Sequence, residues 1–176
     1  MRTKIVIVSV IILAITLGCN SNRGRKLVRQ NEIIKIIFAT GFCSAGECPS
    51  QAIEIDRSLS VKYYGIGNTN KVGFYTGKVS ETFWDLLNIK IEESQFKTID
   101  SISYNHPDNM PTEVFIYYGN NEVKHIYGFL SGLPHDLNIA YSWLISSIQK
   151  MDLNQTKDSI YFLTKVQKPI PPLPIR

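Results

Sequence analysis

The sequence predicts an α+β fold in which a mainly antiparallel sheet, built from hairpins, carries two helices on one face. Apolar and polar residues alternate with period 2 on either side of short turns, which is the pattern of β-hairpins. Two later segments repeat apolar residues at helical spacing. The strand segments do not alternate regularly with helices, which argues against a parallel sheet and for two layers.

The first predicted strand is apolar except for Lys35, which predicts burial on both of its faces. Turn residues separate the strands that follow: Arg57-Ser58, a turn over residues 65–70, and Gly119-Asn120-Asn121. The predicted strands are Ile33–Ala39, 52–56, 59–64, 71–76, 113–118, 122–129 and 158–166.

Each predicted helix has a recognisable start. Ser80 is a suitable N-cap and Glu81 suits the positive end of the helix dipole, so a helix is predicted from there to about Glu92. Pro134 is predicted at the first position of the second helix, where its missing N–H costs nothing. The apolar stripe behind it consists of Leu137, Tyr141, Leu144, Ile145 and Ile148.

The N-terminus has the pattern of an export signal. Arg2 and Lys4 precede the apolar run Ile5–Leu17, which is too short to cross a bilayer core that needs about 20 residues. Gly18-Cys19 follows directly and resembles the lipobox of bacterial lipoproteins. We therefore expect residues 1–18 to be removed and Cys19 to be acylated. An uncleaved signal anchor and a secretory peptide with an incidental cysteine are the alternatives.

This prediction gives the chain a location and a division into segments. The protein should be lipid-anchored in the cell envelope and face the periplasm or the exterior. Residues 19–32 form a tether whose four basic residues suit anionic headgroups, although a solvated linker explains them equally. Residues 33–152 form one globular domain, and residues 153–176 a C-terminal strand and a Pro-rich tail expected to be polyproline II.

Nucleic acid is not an expected partner. The chain has 19 basic and 15 acidic residues, a balance that gives no broad positive field. The membrane, through the anchor, is the expected partner, together with an envelope protein or a glycan.

Cys43 and Cys48 are predicted to form a structural disulfide. If Cys19 is acylated, these two cysteines remain in an oxidising compartment, where an even remainder indicates a bridge. A redox-active pair is one alternative, although that chemistry favours Cys-x-x-Cys at a helix N-terminus. A zinc site is the other, and it needs two more ligands from the histidines of the chain. These are His106, His125 and His135.

A set of motifs between about Ile33 and Asp152 carries a family resemblance. These motifs are Cys43-Ser44-Ala45-Gly46-Glu47-Cys48-Pro49, a hairpin strand at Ala52–Asp56, Val72-Gly73-Phe74-Tyr75, Asp108 with Pro111-Thr112, Lys124–Gly128, and Pro134 with Leu137. With them the chain resembles a family of small bacterial envelope lipoproteins known as domain of unknown function 6438. Two departures from the family pattern are a longer spacer between the cysteines and the absence of an Arg before them. The resemblance implies a fold and no mechanism.

No catalytic site is predicted, and we expect neither a cofactor nor a resident metal. His106 and Asp108 lie two residues apart, but acid–base chemistry needs a third partner that the sequence does not identify. Several strand tyrosines should reach the exposed face of the sheet, where they could suit a protein or glycan ligand, but aromatic residues that fill half-buried strand positions explain them more simply. The anchor, the structural cysteines and the lack of a converging polar site lead us to expect a non-enzymatic binding module. The alternatives are a membrane-tethered thiol-redox or hydrolytic enzyme and an inhibitor of a periplasmic hydrolase.

Overall fold

The computed structural model describes residues 32–43, 46–100 and 110–166. These residues form a seven-stranded antiparallel sheet of order β6-β5-β1-β2-β3-β4-β7 and two α-helices, which confirms the predicted fold class. The predicted leader, Cys19, the tether up to residue 31 and the Pro-rich tail lie outside the described residues. The elements are β1 Ile33–Thr40, β2 Ser50–Asp56, β3 Ser60–Gly67, β4 Gly73–Lys78, α1 Glu81–Glu93, β5 Pro111–Tyr118, β6 Glu122–Phe129, α2 His135–Lys150 and β7 Asn154–Thr156.

Strand β1 lies in the interior of the sheet, between β5 and β2. Its side chains alternate between the two faces. Ile36 and Phe38 pack in the core beneath the helices, whereas Ile37 and Ala39 pack in a second cluster on the opposite face. The predicted burial of this strand on both faces is therefore confirmed.

Helices α1 and α2 pack on one face of the sheet, as predicted. Ser80 caps α1 by accepting a hydrogen bond from the Phe83 N–H at 3.1 Å. Pro134 has an extended ψ of 144° and is the N-cap of α2, so this helix begins at His135, one residue later than predicted. The buried residues of the helices are Trp84, Leu87, Ile91, Leu137, Ala140, Tyr141, Leu144 and Ile148.

The strand predicted over residues 158–166 is wrong. Of the chain after α2, only β7 joins the sheet, where it pairs with β4. Residues 157–166 then cross the face of the sheet opposite the helices. We call residues 157–166 the strap. Phe162 is buried at the centre of this face among Ile37, Ala52 and Phe115. The apolar residues that indicated a strand cover the second face of β1 instead of joining the hydrogen-bonded ladder.

The turn predicted over residues 65–70 begins three residues later. Strand β3 continues to Gly67 and β4 starts at Gly73. A Cβ atom on Gly65 would lie 1.9 Å from the carbonyl oxygen of Lys71 and 2.6 Å from the Thr69 hydroxyl. Gly65 lies within β3 and not in the turn. A glycine is needed at this position because the following turn packs closely against β3.

We expect Gly65→Ala to destabilise the fold by about 3 kcal/mol, since the new methyl group meets a backbone carbonyl that cannot rotate away. Gly67→Ala is the matched control in the same strand. There the nearest atom to an added Cβ is in the Phe42 ring at 3.7 Å, and the expected loss is below about 1 kcal/mol. Urea unfolding of the two variants measures the difference. Equal losses would contradict the close approach at Gly65.

Candidate functional site at the disulfide loop

A disulfide closes the loop between β1 and β2. Cys43 and Cys48 are bonded to each other, with their Cα atoms 5.6 Å apart, so the predicted bridge is present. We call residues 41–49 the disulfide loop; residues 44 and 45 within it lie outside the described residues. In this oxidised state neither sulfur is a free thiolate, the form in which cysteine binds zinc.

Side chains from neighbouring segments hold the disulfide loop from several sides. The Asn68 amide, in the turn after β3, donates to the carbonyl oxygens of Gly46 at 2.6 Å and Cys48 at 3.3 Å. The Thr40 hydroxyl donates to the Pro49 carbonyl at 2.8 Å. A surface held in this way loses little conformational entropy when it binds a partner.

Two large apolar side chains project into solvent at this end of the sheet. Phe42 is 56% exposed and Val72 is 57% exposed, and they lie in adjacent connecting segments because β1 and β3 end at the same side. The Phe42 ring lies beside Gly67, where it would contact an added Cβ. We call Phe42, Gly46, Glu47, Asn68 and Val72 the loop-end surface. An exposed aromatic side chain on a fixed backbone is the kind of residue that anchors protein interfaces.

A buried polar cluster links helix α2 to the sheet near the disulfide loop. The Tyr63 hydroxyl donates to the Gln51 side-chain oxygen at 3.1 Å and accepts from the Gln149 amide at 3.0 Å. The Gln51 amide donates to the Tyr141 hydroxyl at 3.5 Å. Burial raises the pKa of both Tyr63 and Tyr141, so both hydroxyls remain protonated at neutral pH. The cluster therefore holds helix α2 against strands β2 and β3.

A second polar cluster lies on the strap face of the sheet. Glu113 is fully buried, and its two oxygens have separate donors. One oxygen is 2.8 Å from His125 Nε2, and the other accepts the Thr164 hydroxyl at 2.7 Å and the Lys165 N–H at 2.6 Å. Burial by itself raises the pKa of Glu113, but the hydrogen bonds from Thr164, Lys165 and His125 lower it further than burial raises it. Glu113 is therefore a carboxylate at neutral pH.

The Glu113 cluster has the residue types of a catalytic triad but not the connections. In a triad the base contacts the nucleophile on one side and the carboxylate on the other. Here the Thr164 hydroxyl and the His125 ring both bond to the carboxylate. The His125 ring also stacks on Phe115, with centroids 4.2 Å apart. The geometry suits a clamp that holds the strap.

His106 and Asp108 lie outside the described residues, and His135 lines a surface depression on α2. Within residues 32–43, 46–100 and 110–166, no three or more His, Cys, Asp or Glu side chains form a possible metal site. No helix in that part of the chain is long and apolar enough to span a membrane.

The predicted tyrosine-rich face of the sheet is partly covered. Tyr64 and Tyr117 pack against the cluster beneath the strap, and Tyr63 is buried on the helix side. Tyr127 remains 43% exposed. The loop-end surface is therefore the better candidate for recognition.

The fold and the site define a two-layer α+β domain with a disulfide-closed loop at one end of its sheet. The chain belongs to the family described as Domain of unknown function (DUF6438), whose model matches residues 34–151. This region contains the disulfide loop and the helices α1 and α2, and it ends before the strap. No curated protein matches the chain significantly.

We expect Glu113→Gln to destabilise the protein by about 2 kcal/mol at pH 7, since the amide is uncharged and has a single acceptor oxygen, which cannot serve both His125 and the pair Thr164 and Lys165. The folded-state pKa of Glu113 is lowered. Its stabilisation is therefore complete above the unfolded-state pKa of about 4.3 and is lost as the pH falls through the folded-state value. The difference between parent and variant should shrink below about pH 4 in urea unfolding.

Glu93→Gln on α1 is the matched control, because Glu93 is exposed. This variant should have the same free energy of unfolding as the parent, both at pH 7 and below about pH 4. A Glu113→Gln protein with the stability of the parent at pH 7 would show that the carboxylate does not hold the strap.

Proposed function

We propose that the chain is a lipid-anchored, non-enzymatic binding protein of the cell envelope and that its loop-end surface contacts a protein partner. The observation that carries this proposal is the exposure of Phe42 and Val72 on segments fixed by the disulfide and by Asn68. Exposed aromatic and aliphatic groups on a rigid support favour binding, because association then orders few side chains.

The anchor is supported by the sequence and is compatible with the placement of the loop. The Ile5–Leu17 run and Gly18-Cys19 indicate lipid modification, and a disulfide suits an oxidising compartment outside the cytoplasm. The described chain begins at Glu32, next to the start of β1, whereas the disulfide loop follows the end of β1. The eight residues of β1 separate these two points by about 26 Å. An anchor on the N-terminal side therefore leaves the loop-end surface accessible.

The non-enzymatic assignment is supported by how the described polar groups are used. The Glu113 carboxylate accepts its hydrogen bonds from the strap and His125, and the buried Tyr63 cluster joins α2 to the sheet. Inhibition of a periplasmic hydrolase is a particular form of the same proposal. A short loop closed by a disulfide, with an exposed Phe beside the bridge, is a suitable element to place in an enzyme cleft.

Site-specific photocrosslinking tests the loop-end surface in the intact envelope. We expect a photoreactive phenylalanine analogue at position 42 to give a discrete crosslinked species with one envelope protein, because the side chain projects from a fixed loop. The same analogue at Val123 is the matched control. Val123 is also exposed, on β6, and lies near the end of the sheet where Glu32 is found.

Val72→Ser should weaken the crosslink from position 42, since it removes the second exposed apolar side chain of the loop-end surface. Identical crosslinked products from positions 42 and 123, or none from position 42, would contradict the proposed surface.

The lipid anchor is tested separately by metabolic labelling: labelled palmitate should enter the parent protein and not a Cys19→Ala variant. A labelled Cys19→Ala protein would contradict the modification at Cys19.

A further inference from the structure

The outer side of the helix layer carries apolar side chains that no other described element covers. Leu86 is 44% exposed, Ile89 is 52% exposed and Ile139 is 45% exposed. The partly buried Phe83 and Trp143 lie between the helices at the same surface. We call these five residues the helix patch. A helix packed on a sheet ordinarily turns its polar side to water, so exposed apolar residues grouped there indicate a contact surface.

The helix patch is continuous across the two helices. The Phe83 and Trp143 rings stack with centroids 4.7 Å apart, which joins α1 to α2. Leu86 follows Phe83 by three positions, Ile89 follows Leu86 by three, and Ile139 precedes Trp143 by four. These spacings place each residue next to its neighbour on the surface of its helix.

The polar groups at the helix patch are of the kind found at a lipid–water interface. The Lys90 ammonium lies 5.5 Å from the centre of the Trp143 ring. Ser142 and Ser146 line a depression together with Ile139 and Trp143. Tryptophan concentrates at the headgroup level of bilayers, and a lysine can lay its aliphatic chain on apolar surface while its charge stays in water.

The path of the chain toward the predicted anchor favours a bilayer over a protein as the occupant of the helix patch. Glu32 lines a cavity of about 550 Å³ with Glu81 and Trp84, so the N-terminal segment joins the domain at the start of α1. Residues 20–31, twelve in all, can span at most about 43 Å when fully extended. An acylated Cys19 would thus hold α1 close to the membrane at a high effective concentration.

We infer that the helix patch lies in the headgroup–acyl boundary of the membrane that holds the anchor and so orients the tethered domain. The inference rests on the proposed lipid anchor. Burial of apolar side chains drives this contact, because α1 carries four acidic residues against the one basic residue Lys90 and so offers no positive face to anionic lipid. The contact should therefore depend little on anionic lipid. With the helix layer on the bilayer, the strap face points away from the membrane.

Tryptophan quenching in vesicles tests this inference on the full acylated protein. The described residues contain Trp143 in the helix patch and Trp84, which is buried toward the sheet. In phosphatidylcholine vesicles with brominated acyl chains, the difference in emission between the parent and Trp143→Phe isolates Trp143. That component should lose roughly half of its intensity or more relative to unbrominated vesicles. Trp84, measured in Trp143→Phe, should keep its intensity.

Leu86→Glu with Ile89→Glu should abolish the quenching of Trp143 while the protein still floats with the vesicles. Replacing a third of the phosphatidylcholine with phosphatidylglycerol should leave the quenching unchanged. Flotation without quenching of Trp143 would overturn the contact and leave the anchor standing. Failure to float would overturn the anchor, and the inference with it.

Discussion

Four consecutive residues of β1, Ile36 to Ala39, are almost completely buried, and this single stretch imposes a requirement on the whole domain. Because a strand points successive side chains to opposite faces, both faces of the sheet must be covered where β1 lies. Helices α1 and α2 cover one face, and the strap covers the other with Phe162. The strap crosses the sheet without pairing in a ladder there, so its attachment depends on side chains. Glu113 provides the polar part of that attachment through Thr164 and Lys165.

The same arrangement positions the candidate binding surface. The disulfide loop joins the ends of β1 and β2, and the Gly41 N–H donates to the Pro111 carbonyl at the start of β5. A Cβ on Gly41 would lie 2.9 Å from the carbonyl oxygen of Val166, so the end of the strap lies against the base of the disulfide loop. The strap therefore does two things: it covers the second face of β1, and its end supports the disulfide loop.

Much of the architecture could be predicted from local patterns in the sequence. The hairpins, the cap at Ser80 and the apolar stripe of α2 each depend on neighbouring residues, and so they appear in the sequence. The strap could not be predicted, because a segment that packs on the face of a sheet has the same apolar composition as a strand that belongs to the sheet. The role of Gly65 depends on contact with Lys71, and a glycine that permits close approach looks like a glycine in a turn. The Glu113 clamp joins β5, β6 and the strap, and its partners are 12 and 51 residues away in the sequence.

The candidate site likewise combines features that the sequence predicts with features that only the fold reveals. The number of cysteines predicted the disulfide, since that prediction used only the cysteine count and the expected oxidising compartment. The support from Asn68 and the buried hydrogen bonds between Gln51, Tyr63 and Gln149 depend on the fold. The signal for this polar cluster in the sequence was Gln51, a polar residue at a position of β2 that faces the core.

The central claim, that the strap belongs to the folded domain and is held by the Glu113 carboxylate, is tested most directly by hydrogen exchange at the Lys165 amide. This N–H donates to Glu113 at 2.6 Å, although Lys165 itself is exposed. The account predicts slow exchange of this amide, comparable to that of amides in β1. Exchange at the rate of an unstructured peptide would contradict it.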